Sequence, residues 1–346
     1  MDASPAVRPV TTGTETYARE LARRLPGAAP ELDFRFYASR PGLVDGFDLT
    51  VLPGRRLWSQ LRLPVELAQR PPDLFFAPSH VVPFLVRGRA LTVVHDLAFE
   101  RYPEAYAPGA LAYLRLTTRW AERRCPRLIT VSEATARDLV ELHGVDRRRI
   151  AVVPLAASSP GRPVAKVAAR RRVAALGVNR PYVLHVGRVE PRKNPLTALA
   201  AVERLPDLLL VSAGPIVDEK VAGRLRASDR CRVLGRVAAE DLEALYGAAQ
   251  ALVFPSLYEG FGLPVLEAMR RGLPVVTAAV SSLPEVGGEA AVYVDDPLDA
   301  EGLAAALERA LSQRDRLGRL GRARAAQFTW ERTASGVATV IRDLLG

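Results

Sequence analysis

Short apolar runs rich in β-branched residues alternate along the chain with stretches whose apolar residues recur every three or four positions. In the first half the runs lie at residues 33–37, 74–76, 91–94, 128–131 and 150–153. Helical spacing covers residues 13–25, 57–69, 108–124 and 132–143 between them. The second half repeats the scheme, with runs at 182–186, 208–212, 232–234, 251–254, 274–277 and 291–294. The runs are continuous, not alternating, which predicts strands buried on both faces. Alternation with helices then makes those strands parallel, giving an α/β fold. Residues 155–172 are rich in Ala, Ser, Pro, Gly and Arg and carry no strand, which places a linker near residues 158–162. The final stretch, 330–345, sets Val337, Val340, Ile341, Leu344 and Leu345 at helical spacing, so it needs a surface to dock on. The expected division is residues 1–158, residues 159–328 and a terminal helix from 329 to 346. One feature fits poorly. Gly13 precedes a good helix, yet the dozen residues before it hold no convincing strand. Either the first strand is irregular or the chain as written starts late.

Composition agrees with two domains: 346 residues, 49% apolar and 25% charged. No apolar run is long enough to span a bilayer and no leader pattern opens the chain, so a cytoplasmic location is expected. Cys125 and Cys231 are far apart, which excludes a disulfide framework, and His80, His95, His143 and His185 show no metal-ligand spacing. The net charge of +10 favours anionic partners. Nucleic acid is a poor fit, because aromatics are 6%, the arginines are dispersed and no recognition motif occurs. The only lysines are Lys166, Lys193 and Lys220.

The candidate chemistry gathers at strand ends. Glu259-Gly260-Phe261-Gly262-Leu263-Pro264-Val265-Leu266-Glu267 follows the run ending at Phe254. Ligands of open α/β sheets bind at the carboxyl ends of strands. Gly260 and Gly262 allow close backbone approach, and a short helix over 264–271 would aim its amino end at the loop, favouring an anion. Taken alone, a capped strand–turn–helix explains the segment equally well. Gly187-Arg188-Val189-Glu190-Pro191-Arg192-Lys193-Asn194 follows the run 182–186 and sets Arg188 and Lys193 at the sheet mouth, where a diphosphate leaving group needs positive charge. A solvated basic turn is the plainer reading. No Asp-x-Asp occurs, so no metal is expected. His95-Asp96 and Ser132-Glu133 also end strands. A hydrogen-bonded loop pair accounts for the first and helix capping for the second. Gly214 ends another run. Gly235-Arg236-Val237, with Asp241, Leu242 and Tyr246 beyond it, offers a backbone edge to a base.

Together these residues resemble the family 4 retaining glycosyltransferases, strongly over 182–296 and moderately over 74–154. The most specific part is Glu259 and Glu267 inside Pro255-Ser256-Leu257-Tyr258-Glu259-Gly260-Phe261-Gly262-Leu263-Pro264, joined to Gly187-Arg188 and Lys193-Asn194. The stretches Pro274-Val275-Val276-Thr277 and Leu283-Pro284-Glu285-Val286-Gly287-Gly288 extend it. The resemblance implies a GT-B fold, two Rossmann-like doubly wound domains facing across a cleft, with the last helix crossing back to the first. It implies that Glu267 accepts the ribose hydroxyls and that Glu259 faces the transferred sugar. Amides at Phe261, Gly262 and Leu263 hold oxygens, Arg188 and Lys193 neutralise the diphosphate, and His95 sits at the reaction centre. Gly13 is the first-domain turn near the donor. The family often pairs glycines there, whereas Thr11-Thr12-Gly13 has one. The implied chemistry is front-face transfer with retention.

The expected donor is a nucleotide sugar and the expected acceptor a glycan or lipid-linked sugar. Leu57-Trp58, Leu63-Pro64, Ser79-His80 and Pro83 look most like mannosyltransferases, so GDP-mannose leads and UDP-glucose follows. An epimerase or a non-catalytic nucleotide binder on the same fold is the alternative. Arg55-Arg56-Leu57-Trp58-Ser59-Gln60-Leu61-Arg62-Leu63 could touch anionic lipid at the inner membrane face, but Leu57, Leu61 and Leu67 at helical spacing point to the core instead.

Overall fold

The first half forms parallel strands: β1 (Phe36–Ala38), β2 (Leu49–Val51), β3 (Leu74–Ala77), β4 (Arg89–Val94), β5 (Arg127–Thr130) and β6 (Ile150–Val152). β3 to β6 form one sheet in that order, and β1 pairs with β2. Phe75, Val94, Leu128 and Ile150 sit in the core beneath the covering helices. The computed structural model describes residues 1–8, 13–41, 49–54, 58–157 and 165–346. The linker expected at 158–162, the residues Thr11-Thr12 before Gly13, and Arg55-Arg56-Leu57 lie outside the described residues.

Residues 1–3 take an irregular strand position beside β1. Asp2 bridges Tyr37 and its N–H donates to Phe76 O at 3.0 Å. Tyr37 N–H donates to Met1 O, and Ala3 N–H to Tyr37 O. Residues 1–3 therefore lie between β1 and β3 with too few apolar positions to register as a run. β1 starts at Phe36, three residues later than expected, and β2 has no counterpart among the apolar runs.

The second sheet holds β7 (Tyr182–Val186), β8 (Leu209–Ala213), β9 (Cys231–Gly235), β10 (Leu252–Phe254), β11 (Val275–Ala278) and β12 (Ala291–Val294). Its order is β12-β11-β10-β7-β8-β9, all parallel. The chain runs outward from β7 to β9, then returns to the other side of β7 and runs out to β12. The order thus reverses between β7 and β10, which makes a switch point where ligands bind in such sheets.

Two compact units result, one from Met1–Ala156 with Phe328–Gly346, the other from Ala157–Gln327. The helix Trp330–Leu345 buries Trp330, Val337, Val340 and Ile341 and packs on the helix Gly13–Ala28 of the first unit. Arg24 pairs with Glu331 at 2.9 Å and Thr333 Oγ1 donates to Pro154 O at 2.8 Å. The helix spacing that points Leu61 to the core is corrected. Leu67 is buried, but Leu61 is 62% exposed and Val65, one turn on, 56%. No helix among the described residues is long and apolar enough to cross a membrane.

Candidate active site

The switch point of the second sheet is lined by the turns after β7 and β10, and these two turns are bonded together. Leu257 N–H donates to Arg192 O at 2.9 Å, and Arg192 Nη1 donates to Tyr258 O at 2.8 Å. Asn194, held at φ 54°, donates from Nδ2 to Pro255 O and Pro297 O. Across this seam Lys193 Nζ donates to Glu259 Oε1 at 2.5 Å, with only 12% and 10% of the two side chains exposed. Lys193 also lies over the Phe254 ring, 5.6 Å from its centroid. Burial pushes the Glu259 carboxyl up, but Lys193 and Arg192 outweigh it and hold the group below its usual range. Burial draws the Lys193 ammonium down, against the pull of Glu259. Lys193 and Glu259, 66 residues apart, thus form one charged pair at the switch point.

Arg188, at the other candidate cation position, stays half-exposed. Its Nε meets Glu190 Oε2 at 3.0 Å, and Arg192 Nη2 meets Glu190 Oε1 at 2.8 Å. Glu190 therefore bridges two arginines, a role foreshadowed only by the plus–minus–plus order of 188, 190 and 192.

Gly187 follows β7, Gly214 follows β8, Gly235 ends β9, and Gly260 and Gly262 follow β10. β9, β8, β7 and β10 are neighbours in that order, so these glycines share one edge. Gly187 N–H donates to Ala213 O and Gly214 N–H to Gly235 O. The parallel bridge between Val189 and Ile216 extends the pairing past the strand ends. Gly214 has φ +146°, and a Cβ there would stand 1.9 Å from Gly187 O. Only glycine fits, because two backbones touch at this point. Arg236 and Val237 lie past β9, two strands from β7, at the outer end of the same edge.

Beyond β10, Phe261 is buried and Gly262 has φ +100°. The helix runs Leu263–Arg270, one residue earlier than expected, with Gly262 as its N-cap and Pro264 inside its first turn. Its amino end opens into the glycine loop, as an anion site requires. Glu267 lies on the next turn. Tyr246 Oη donates to Glu267 Oε2 at 2.9 Å, and burial pushes this carboxyl above its ordinary value. The loop after β11 fixes Glu259 from behind. Glu259 N–H donates to Ser281 Oγ and Ser282 Oγ donates to Glu259 O, both at 2.9 Å. Ser281 has φ 49°, a conformation costly to a residue with a Cβ. Neither serine was singled out by the sequence pattern, since nothing local links them to Glu259.

In the first unit, Gly13 opens the helix Gly13–Ala28, and Tyr17 on that helix meets the His95 ring edge-on at 5.0 Å. His95 Nε2 lies 2.9 Å from Pro78 O, so that nitrogen carries the hydrogen and Nδ1 is the acceptor. Burial lowers the His95 pKa and keeps the imidazole neutral. Asp96 accepts the Ala98 N–H. Ser132 is the N-cap of the helix Glu133–His143, accepting from Thr135 N–H. His185, wholly buried beneath the Lys193 turn, is lowered to about 4 by burial. No group of three His, Cys, Asp or Glu among the described residues could hold a metal ion.

Comparison with known proteins extends these observations. Residues 168–327 match the family described as "Glycosyl transferases group 1" and residues 11–157 match "Glycosyltransferase Family 4". The chain is 32% identical over 314 residues to the O-antigen chain mannosyltransferase B of Escherichia coli, covering 86% of this chain and 79% of that protein. It is 35% identical over 237 residues to the MMP alpha-(1->4)-mannosyltransferase of Mycolicibacterium hassiacum, covering 63% of this chain and 54% of that one. Among solved structures, Anabaena HepE in complex with UDP-glucose superposes with a TM-score of 0.75 at 18% identity, over 97% of this chain and 98% of that chain. That likeness, with the two parallel sheets, gives the fold as GT-B.

Proposed function

The chain belongs to family 4 of the glycosyltransferases, and from that premise we propose that it moves mannose from GDP-mannose to a hydroxyl of a glycan or lipid-linked acceptor, with retention. The buried Lys193–Glu259 pair at the sheet's switch point carries this reading. As the glycosidic bond breaks, charge accumulates on the leaving diphosphate. Lys193, Arg188 and the amino end of the helix Leu263–Arg270 neutralise it without a metal ion. Amides at Phe261, Gly262 and Leu263 hold phosphate and sugar oxygens. Glu259 receives the sugar hydroxyls, Glu267 the ribose hydroxyls, and the backbone at Arg236-Val237 the base, with Gly187 and Gly214 letting the diphosphate approach the backbone. Neither Glu259, which is ion-paired, nor His95, which is neutral, is set up as a nucleophile. Front-face attack follows, the departing phosphate taking the acceptor's proton. His95 acts through Nδ1, and Gly13 allows the first helix to start close to it. The names of the two bacterial mannosyltransferases support mannose over glucose. The UDP-glucose complex of HepE keeps the UDP-linked donor as the second reading.

Thermal-shift titration with GDP, UDP and ADP, then their sugars, tests the donor. GDP and GDP-mannose are expected to give the largest shifts, unaffected by EDTA, and Glu267→Ala to reduce them. An α-linked product from the α-linked donor supports retention, whereas a β product sinks it. We further propose that the first unit meets anionic lipid through Leu61 and Val65, with Arg62 beside them. Flotation with anionic liposomes at low salt is expected to carry the protein up, and Leu61→Glu to leave it at the bottom. A wild-type protein that never floats ends this part of the proposal.

A further inference from the structure

Glu267 is the carboxylate assigned to the ribose, and the inference here rests on that assignment. Three side chains, Glu243, Tyr246 and Arg271, interlock around it. Glu243 and Tyr246 lie one turn apart on the helix Ala239–Ala248. Glu267 lies on the helix Leu263–Arg270, and Arg271 follows as its C-cap. Arg271 uses Nε on Glu243 Oε2 at 2.9 Å and Nη2 on Glu243 Oε1. Its Nη1 donates to the Glu267 backbone carbonyl at 2.6 Å, and its guanidinium lies 4.5 Å from the Tyr246 ring centroid. The nearby cation is therefore engaged with Glu243, with the helix end and with the face of a ring. The hydrogen bond to the Glu267 carboxylate comes instead from a neutral phenol, on Oε2. Tyr246 is 1% exposed, and its ring is fixed from above by Arg271.

A carboxylate gripped bidentately by arginine has its lone pairs and its charge taken up. Held by a single neutral donor on one oxygen, it keeps the other oxygen and most of its acceptor strength for a ligand. We propose that Tyr246 is a positioning residue for nucleotide recognition: its hydroxyl pins Oε2 of Glu267 and thereby presents Oε1 to the vicinal hydroxyls of the ribose. Arg271 acts one step behind, by holding the Tyr246 ring in place.

The test compares GDP with 2′,3′-dideoxy-GDP, binding to wild type, Tyr246→Phe and Glu267→Ala by calorimetry, with UDP and its dideoxy analogue run in parallel. Wild type is expected to favour GDP over the dideoxy analogue. Tyr246→Phe is expected to weaken GDP about tenfold, the size of a hydrogen bond to a charged group, and to leave the dideoxy analogue unchanged. Its donor KM should rise with little change in kcat. Glu267→Ala should erase the preference for ribose altogether. A Tyr246→Phe protein that keeps the wild-type preference while Glu267→Ala loses it overturns the role of Tyr246 and leaves the ribose assignment standing. Equal loss of both ligands in Tyr246→Phe, with a lowered melting temperature, overturns it too, since packing alone would then explain the residue. A Glu267→Ala protein that keeps the preference overturns the ribose assignment and this inference with it.

Discussion

Replacing Lys193 with methionine is expected to lower sugar transfer by about 100- to 1,000-fold, the usual loss when one charge-stabilising group is taken from a water-poor site. The argument starts from the 2.5 Å contact with Glu259 and from how little of either side chain is exposed. A cation buried beside the strand ends interacts strongly with charge that develops there, because little water screens it. The same burial gives the substitution a second effect. Glu259 would be left as a buried carboxylate without its main partner, a loss of about 3–5 kcal/mol in stability. The two effects separate in the double variant Lys193→Met with Glu259→Gln. Stability should largely return, because no unpaired charge remains, while transfer should not. Steady-state rates and urea unfolding of the wild type and these two variants decide the matter. Transfer by Lys193→Met within a few-fold of wild type would remove Lys193 from the chemistry.

Gly214→Ala is expected to cost about 3 kcal/mol or more, combining overpacking against backbone with a strained dihedral. The added Cβ would meet Gly187 O at 1.9 Å and its carbonyl carbon at 2.6 Å, and a backbone cannot swing aside as a side chain can. Relief requires the turns after β7 and β8 to separate, which breaks the pairing of Val189 with Ile216 and moves Arg188. Nucleotide binding should fall with stability. Gly223→Ala is the control. It sits within the helix Glu219–Arg226 with nothing inside 4 Å of its Cβ, so it should be neutral or mildly stabilising. A Gly214→Ala midpoint in urea equal to wild type would show that the two turns are not held by this contact.

The strands of both sheets were legible because burial on two faces demands continuous apolar runs, and such runs survive in the sequence. β7 and β12 begin and end where their runs do. What escaped was structure held by backbone alone. Residues 1–3 pair through N–H and C=O groups that any residue carries, so Met-Asp-Ala gives no pattern to read. Leu61 misled because a period of three or four shows which residues share a helix face, not whether anything covers it. At the candidate site, the glycines and charges were visible through their places after strands. Their pairings were not. Lys193 meets Glu259, and Ser281 takes the Glu259 N–H, only because β7, β10 and β11 are neighbours. Tyr246 stood out merely as an aromatic past β9. Its partner, 21 residues on, sits on a different helix, so no local pattern announces the pair.

The helix Trp330–Leu345 also bears on how the chain folds as it is made. The unit that starts the chain is the one that finishes it, since residues 328–346 belong with residues 1–156. Synthesis runs at about 5–20 residues per second, so the two parts of the first unit stay apart for on the order of 10 s or more. Throughout that interval Tyr17 lacks its Trp330 neighbour and Arg24 its Glu331. The second unit, continuous from 157 to 327, is complete before the first can close. The emerging chain can therefore fold its 157–327 unit first, and a ribosome that stalls before residue 328 holds that unit attached to an unfinished first unit whose helix Gly13–Ala28 lacks its cover.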